Sequence, residues 1–320
     1  MIDVYGRNID YLRLSITDRC NLRCRYCMPA EIPFVPHESI LRYEELLRVS
    51  EIAARIGIRH LKVTGGEPLV RRDCAEFVRN LKQIDGIETV TMTTNGILLF
   101  EQAQALQEAG IDCINISLDT LSRERYAAIT GTDALSRVLL ALSRCLELGV
   151  RVKINCVPLA STPMEELLDV AALAQKFPVD VRMIEMMPIG SGADFAPTDL
   201  DALLLQMQGR WQDLRPDESR HGFGPANYYH SEQLAGSIGF IRAVSHNFCA
   251  ACNRVRLTSE GYLKLCLCHG DGLDMRALLR GGADNDTIQN AMQNAIMHKP
   301  AHHSFGEMVD EQRIMAQIGG

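Results

Sequence analysis

Residues 11–27 read Tyr-Leu-Arg-Leu-Ser-Ile-Thr-Asp-Arg-Cys-Asn-Leu-Arg-Cys-Arg-Tyr-Cys. The first half alternates with a period of two: Leu12, Leu14 and Ile16 fall on one face, Arg13 and Ser15 on the other. That is the signature of a strand with one apolar and one polar face. The pattern recurs in His60–Thr64, Thr89–Thr94, Cys113–Leu118, Arg151–Val157 and Val179–Glu185. Leu61 and Val63 alternate with His60, Lys62 and Thr64, for example, and Val181 and Met183 with Asp180 and Arg182. Between these runs lie helical patterns, in which Leu46, Val49, Ile52, Ala53 and Ile56 share a face; further ones cover Ala75–Ile84, Gln102–Ala109, Leu135–Leu148 and Glu165–Lys176. Strands alternating with helices imply right-handed βαβ crossovers and a parallel sheet. A parallel strand covered on both faces reads as nearly continuous apolar sequence, and these strands do not. The expectation is therefore an α/β fold: an incomplete (β/α)6 TIM-like barrel whose polar strand faces line a substrate-filled interior.

Beyond about residue 190 the rhythm changes, with Gly190, Gly192, Pro197, Pro216, Gly222, Gly224 and Pro225 as punctuation. This divides the chain into a barrel, residues 1–190, and a C-terminal extension, residues 191–320, packed across the barrel mouth.

The 320 residues are 47% hydrophobic and 23% charged, the balance of a globular chain with a sizeable core. A net charge of −7 gives no global attraction to nucleic acid or to an anionic membrane, so an anionic substrate must be met by local basic residues. The first ten residues include Asp3, Arg7 and Asp10 and lack the apolar stretch of a secretory signal. No run is long and apolar enough to span a bilayer. The expected location is cytoplasmic, and the 11 cysteines read as ligands or reduced core thiols rather than disulfides.

Cys20, Cys24 and Cys27 follow the first strand, at the end of such folds where chemistry is found. Cysteine frequency predicts such a three-residue pattern by chance about 0.01 times in the chain. Structural zinc and most iron–sulfur clusters take four protein ligands, so three thiolates leave one metal position open for a ligand. Cys249, Cys252 and Cys266 form a second trio. Its spacing alone admits zinc as well, with His246, Cys268 or His269 as a fourth ligand.

The segment Cys20-Asn-Leu-Arg-Cys24-Arg-Tyr26-Cys27 resembles the motif of radical S-adenosylmethionine (SAM) enzymes, with an aromatic residue before the third cysteine. Thr64-Gly65-Gly66-Glu67-Pro68 resembles the segment that receives the SAM amino group, and Ser117 and Met187 occupy positions resembling family contacts to SAM. Phe248-Cys-Ala-Ala-Cys-Asn-Arg254-Val-Arg256-Leu and Leu265-Cys-Leu resemble the second cluster segment of the GTP 3′,8-cyclases of molybdenum-cofactor biosynthesis. Leu12–Cys20, Cys27-Met-Pro29, Thr93-Thr-Asn-Gly96, Gly224-Pro-Ala-x-Tyr-Tyr229 and the terminal Gly319-Gly320 resemble the same family.

That resemblance implies two [4Fe–4S] clusters, on Cys20, Cys24 and Cys27 and on Cys249, Cys252 and Cys266. It implies SAM held near Tyr26, Gly65, Gly66, Glu67, Ser117 and Met187. Electron transfer to SAM then yields a 5′-deoxyadenosyl radical that takes hydrogen from C3′ of GTP, and C3′ closes onto C8 of guanine. GTP carries about four negative charges, which an interior site must compensate. The basic residues on the polar strand faces, Arg13, Lys62, Lys153 and Arg182, and those beside the second trio, Arg254 and Arg256, are the candidates, with Thr93. Which of them meet phosphate and which guanine stays open. The double glycine Gly319-Gly320 is expected to enter the cavity, with Ile314, Met315 and Ile318 against an apolar wall. The resemblance further implies a homodimer, a flavodoxin-like reductant, and a downstream partner, the cyclic pyranopterin monophosphate synthase (MoaC). The chain departs from the family at His60, where lysine is common, at Lys62, where arginine is usual, and at Cys268, in place of Phe. Two other readings fit the motifs less fully: a peptide-modifying radical SAM enzyme with an auxiliary cluster, and a non-enzymatic metal-binding protein.

Overall fold

Six strands run in chain order across the middle of the sheet in the computed structural model, which describes residues 1–28, 34–219, 221–305, 311 and 313–319. They are β1 (Tyr11–Ser15), β2 (His60–Thr64), β3 (Thr89–Thr94), β4 (Cys113–Ser117), β5 (Val152–Cys156) and β6 (Asp180–Ile184), each parallel to the next. Helices α1 (Tyr43–Arg55), α2 (Cys74–Lys82), α3 (Leu99–Glu108), α4 (Arg123–Thr130), α5 (Leu135–Glu147), α6 (Met164–Ala171) and α7 (Leu173–Lys176) fill the crossovers. Pro29 and Gly320 lie outside the described residues.

The period-two alternation sorts the side chains as the sequence implies. Leu12, Leu14, Leu61, Val63, Val90, Met92, Ile114, Ile116, Ile154 and Val181 are fully buried under the helices. Leu46, Val49, Ile52 and Ala53 of α1 pack against them. Each of the Val, Leu, Ile and Met side chains contributes roughly 1.5–3 kcal/mol through removal of apolar area from water. The opposite faces carry Arg13, Lys62, Thr93, Asn115, Lys153 and Arg182. Helix α4 is an element the periodicity did not reveal. Its signals are at its ends: Ser122 Oγ accepts a hydrogen bond from Arg125 N (3.3 Å), and Gly131 closes it with φ +74°.

The largest difference from expectation lies beyond residue 190. After α8 (Leu200–Arg210) the chain forms β7 (Arg215–Asp217), β8 (Asn227–His230) and β9 (Ser237–Ile241), and β9 joins β6 in parallel. It then crosses the molecule. Strand β10 (Arg254–Leu257) pairs in parallel with β1, and β11 (Tyr262–Lys264) and β12 (Gly272–Asp274) extend that side antiparallel. The result among the described residues is one 12-stranded sheet, ordered β12-β11-β10-β1-β2-β3-β4-β5-β6-β9-β8-β7. The extension therefore prolongs the barrel wall on both sides as well as crossing it. Helices α9 (Met275–Arg280) and α10 (Asn285–Met297) cover the β10 side, and α11 (Met315–Ile318) is the last helix among the described residues.

This topology fixes where the cysteines stand. Cys20–Cys27 follow the C-terminal end of β1. Cys249 and Cys252 precede β10, parallel to β1, and Cys266 follows the antiparallel β11. The two trios thus lie at opposite ends of the sheet, on either side of the polar interior.

The first ten residues hold the far end in place. Asp3 Oδ1 accepts from Tyr5 N (3.0 Å) and Arg7 N (2.9 Å), and Asp3 Oδ2 lies 2.6 Å from Arg7 Nε. Burial opposes ionisation of Asp3, but the Arg7 and Tyr5 donors outweigh it and hold the carboxyl below its usual value. Arg7 donates onward to the carbonyls of Cys249 (3.2 Å), Ala301 (3.1 Å) and Lys299 (3.1 Å). Arg7→Ala leaves a buried carboxylate without its partner, which costs about 3–5 kcal/mol. The urea midpoint of the reconstituted protein is expected to fall accordingly, with iron lost first from the Cys249 loop; an unchanged midpoint refutes this account.

Candidate functional site

At the C-terminal end of β1 the chain turns into the first cysteine loop, and the backbone after β2 rests directly on it. Gly66 N donates to Thr17 O (2.7 Å) and Glu67 N to Arg19 O (2.8 Å). A Cβ on Gly66 would stand 2.4 Å from Arg19 O, and one on Gly65 2.7 Å from Thr17 O, so only glycine allows this approach. Glu67 then ties three loops together. Its Oε1 accepts from Leu69 N (3.0 Å) and Thr94 Oγ1 (2.8 Å), and its Oε2 from Asn95 N (2.6 Å). Burial pushes the carboxyl up to about 7, against the lowering effect of those donors.

Within the loop, Cys24 O accepts from Cys27 N and Met28 N (both 2.9 Å). Asn95 Nδ2 lies 3.8 Å from Cys20 Sγ and donates to Asn21 Oδ1 at 2.8 Å. Tyr26 Oη donates to Asp119 Oδ2 (2.7 Å), and Asp119 Oδ1 accepts from Val157 N (2.8 Å). Burial raises Asp119 to about 6 although both donors favour its ionised form. Ser117 ends β4, and Met187 lies in the turn after β6, where Ile189 N donates to its carbonyl at 2.8 Å. The sequence gives Asn95, within the Thr93–Gly96 segment, and Asp119 no site role of their own. Their signal was position: each follows the C-terminal end of a barrel strand.

The thiols show what this loop needs. Burial raises all three; the Cys27 and Cys20 charges further raise Cys24, and Cys20 and Asp119 further raise Cys27, to about 12. Three thiolates there call for cations among them, which the irons of a cluster would supply. Among the described residues no three His, Cys, Asp or Glu side chains are grouped to hold a single metal ion. A polynuclear cluster, with one thiolate on each of three irons, does not ask that of them. The residues fit such a cluster.

The second trio has a different field. Cys249 opens a 3-10 turn, and Cys252 N donates to its carbonyl at 3.1 Å. Burial opposes ionisation of Cys252, but the charges of Lys299 and Arg254 outweigh it and pull the thiol below its usual value. Burial raises Cys249, and the nearby Cys252 and Cys266 charges raise it further. Cys268 is fully buried, its Sγ 3.4 Å from Ser304 Oγ.

Between the two ends lies the basic interior. Strand register sets Arg13 beside both Lys62 and Arg256, and Asn155 beside Arg182. Burial, then the charges of Arg182 and Arg13, push Lys62 well below its usual range. Burial, then Arg13 and Arg254, do the same to Arg256, and Arg13 is lowered to about 10. Arg182 Nη2 donates to Asn115 Oδ1 (2.6 Å) and to Asn155 Oδ1. Arg182 Nε, Arg254 Nε and Thr93 Oγ1 are buried without a hydrogen-bond partner among the described residues. Buried polar atoms of this kind call for a ligand that supplies acceptors.

The tail reaches this interior. Gly319 is buried with φ +82°, and a Cβ there would meet Thr64 Oγ1 at 2.6 Å and Ser15 Cβ at 2.9 Å. Arg256 Nη1 donates to Gly319 O (2.9 Å). Ile318 is buried, and Ile314 packs on Gly190. Gly320 lies outside the described residues. His60 hydrogen-bonds Thr89 Oγ1 (3.0 Å) and stacks on Phe223 with 3.3 Å between ring centroids.

Residues 14–174 match the radical SAM superfamily, and residues 179–305 match the family described as molybdenum cofactor synthesis C. The GTP 3′,8-cyclase of Clostridium perfringens (strain SM101 / Type A) is 41% identical over 323 residues, and that of Heliobacterium modesticaldum 44% over 328, each aligned over 100% of both chains. The fold is similar to Streptococcus suis SuiB bound to S-adenosylmethionine, with a TM-score of 0.66 over 91% of this chain and 68% of that one at 15% identity. The cysteine loops at opposite ends of a basic barrel accord with these matches, and at 41–44% identity over its full length the chain belongs to the GTP 3′,8-cyclase family of radical SAM enzymes.

Proposed function

We propose that this chain catalyses the reaction for which its relatives are named, joining C3′ of the GTP ribose to C8 of its guanine, as the first step of molybdenum-cofactor biosynthesis. The observation that carries this reading is the basic interior between the two cysteine loops, where Lys62 and Arg256 are buried among other cations. A polyanion with hydrogen-bonding edges is the ligand such a chamber asks for.

In this reading Cys20, Cys24 and Cys27 hold one [4Fe–4S] cluster and Cys249, Cys252 and Cys266 the other. When bound, the first supplies an electron for cleavage of SAM, and the second offers an open iron to the base. The chain's own residues do the rest. Gly65 and Gly66 let the backbone after β2 approach the cluster loop, where SAM meets the turn. Glu67 braces that turn and presents a carboxylate toward the SAM amino group. Tyr26, held by Asp119, shapes the same pocket with Ser117 and Met187. Arg13, Lys62, Lys153 and Arg182, with Thr93, neutralise the triphosphate, and Arg254 and Arg256 serve the end near the second cluster. Gly319 closes the interior and excludes water beside the reacting ribose. A flavodoxin-like reductant, a homodimeric assembly, hand-over of the product to the downstream synthase and a cytoplasmic location complete the proposal. Among the described residues no helix is long and apolar enough to cross a membrane.

Three experiments test this. Cys24→Ser is expected to abolish reductive SAM cleavage while GTP still binds, and Cys252→Ser to impair GTP binding while the first cluster persists by iron analysis and electron paramagnetic resonance. Unchanged cyclase turnover in Cys252→Ser defeats the role given to the second trio. Arg256→Ala removes donors from both the substrate and Gly319; it is expected to weaken GTP about 10- to 100-fold, in line with roughly 1.5–3 kcal/mol for hydrogen bonds to a charged group, with SAM affinity held within about twofold. Deleting Gly319 and Gly320 is expected to cut cyclisation with cluster content intact, and full activity without them returns the tail to a passive role.

A further inference from the structure

At the N-terminal ends of the strands, opposite the first cysteine loop, residues 217–219 and 221–228 form a floor across the interior, Phe223 stacking on His60 and His221 meeting Asp180. Asn253 Nδ2 donates to Phe223 O (3.4 Å), which joins this floor to the residue after Cys252. At its centre is His221, stacked on Tyr228 with 4.0 Å between centroids and planes 15° apart. Both ring nitrogens face carboxylates: Nδ1 lies 3.0 Å from Asp180 Oδ1, and Nε2 lies 2.8 Å from Asp217 Oδ2 and 3.1 Å from Ser219 Oγ. The other oxygen of Asp180 is 2.7 Å from Lys153 Nζ and 3.5 Å from Arg151 Nη2. Lys153 also donates to Tyr228 Oη (3.0 Å) and to the carbonyl of His221, which accepts from Arg151 Nη2 as well (3.2 Å).

Lys153 therefore differs from Lys62, for which no ion pair is described. A lysine ammonium is a point charge on a flexible stem with three donors. Here two of the donors go to Tyr228 Oη and the His221 carbonyl, while Asp180 pairs with the ammonium by charge and is itself held by His221. His221 acts on the ammonium twice, through its carbonyl and through the carboxylate that its ring fixes.

We propose that His221 is a positioning residue for the substrate's phosphate chain: with Asp180 it pins Lys153 at the floor of the chamber, so that the site selects a nucleoside triphosphate over shorter phosphate chains. This rests on the reading that Lys153 meets the phosphates of GTP. An ammonium fixed before binding loses less conformational freedom when the phosphate arrives. A nucleotide with one phosphate does not depend on the floor, so the contribution of His221 shows only with the full chain. Asp180 and Asp217 also set a negative limit beneath Lys153 against anions that reach deeper.

The test is anaerobic calorimetry of GTP, GMP and SAM binding to the reconstituted protein, as wild type, Lys153→Ala, His221→Ala, His221→Gln and the Lys153→Ala/His221→Ala double variant. Lys153→Ala and His221→Ala are each expected to weaken GTP about tenfold, or about 1.4 kcal/mol, with GMP and SAM unchanged within about twofold. The double variant is expected to bind GTP no more weakly than Lys153→Ala, since His221 acts through Lys153. His221→Gln keeps an N–H donor for Asp180 and is expected to recover most of the loss; it also serves should His221→Ala not fold. Unchanged GTP affinity in Lys153→Ala overturns the underlying reading of Lys153. Loss in Lys153→Ala without loss in either His221 variant overturns the positioning role. Equal losses for GTP, GMP and SAM in the His221 variants overturn it too, by showing a general structural effect, as does full additivity in the double variant.

Discussion

Like charges buried together set the terms for this molecule. Arg13 stands beside Lys62 on one strand and Arg256 on the other, with Arg182, Lys153 and Arg254 close by. Burial and neighbouring cations push Lys62 and Arg256 well below their usual values, and an anion in the chamber would favour their charged forms. That arrangement persists because the reverse face of the same strands is apolar and fully covered, as at Leu12, Leu14, Leu61 and Val63. Each strand thus spends its outer face on stability and its inner face on binding. Lys153 has an acidic partner at the floor, so the positive field is graded along the chamber rather than uniform.

The loops at the C-terminal ends of the strands meet a second constraint, that of ordering irregular backbone beside a reactive site. Carboxylates knit them together. Glu67 receives donors from its own loop and from the loop after β3, and Asp119 receives them from Tyr26 and from Val157 after β5. Both groups are buried and raised, to about 7 and about 6, so the donors that surround them are what keep the charged form accessible. Backbone contact between Gly66 and Thr17 brings the first two loops closer than any side chain allows.

The two ends of the chain reach opposite ends of the interior, Arg7 the Cys249 loop and Gly319 the last residues of β1 and β2. Arg7 grips carbonyls at Cys249, Lys299 and Ala301, while Arg256 holds Gly319 inside. The surroundings of the two cysteine loops differ to match. The first is buried beside Asp119, which raises its thiols, whereas Lys299 and Arg254 draw Cys252 down.

The sequence by itself determined the barrel strands, the polar lining and both cysteine trios. Period-two alternation is a local property that survives into the sheet, and cysteine spacing within a loop needs no distant contact to be read. The basic residues were legible for the same reason: Arg13, Lys62, Lys153 and Arg182 each take a polar place between two apolar residues of an alternating strand. Tertiary structure alone decided how the two ends of the extension join the sheet, because β9 pairs with β6 and β10 with β1 across long stretches of chain that leave no local signal. It decided the roles of Asn95 and Asp119, whose loops look ordinary until their donors arrive from other strands. It also decided Arg7 and His221. Arg7 in sequence is one charge near a terminus, and His221 one polar residue in a glycine-rich turn. Their partners lie 242 and 41 positions away, at Cys249 and Asp180. A hydrogen bond between residues so far apart is a product of the fold, and only the folded chain reveals which donor meets which acceptor.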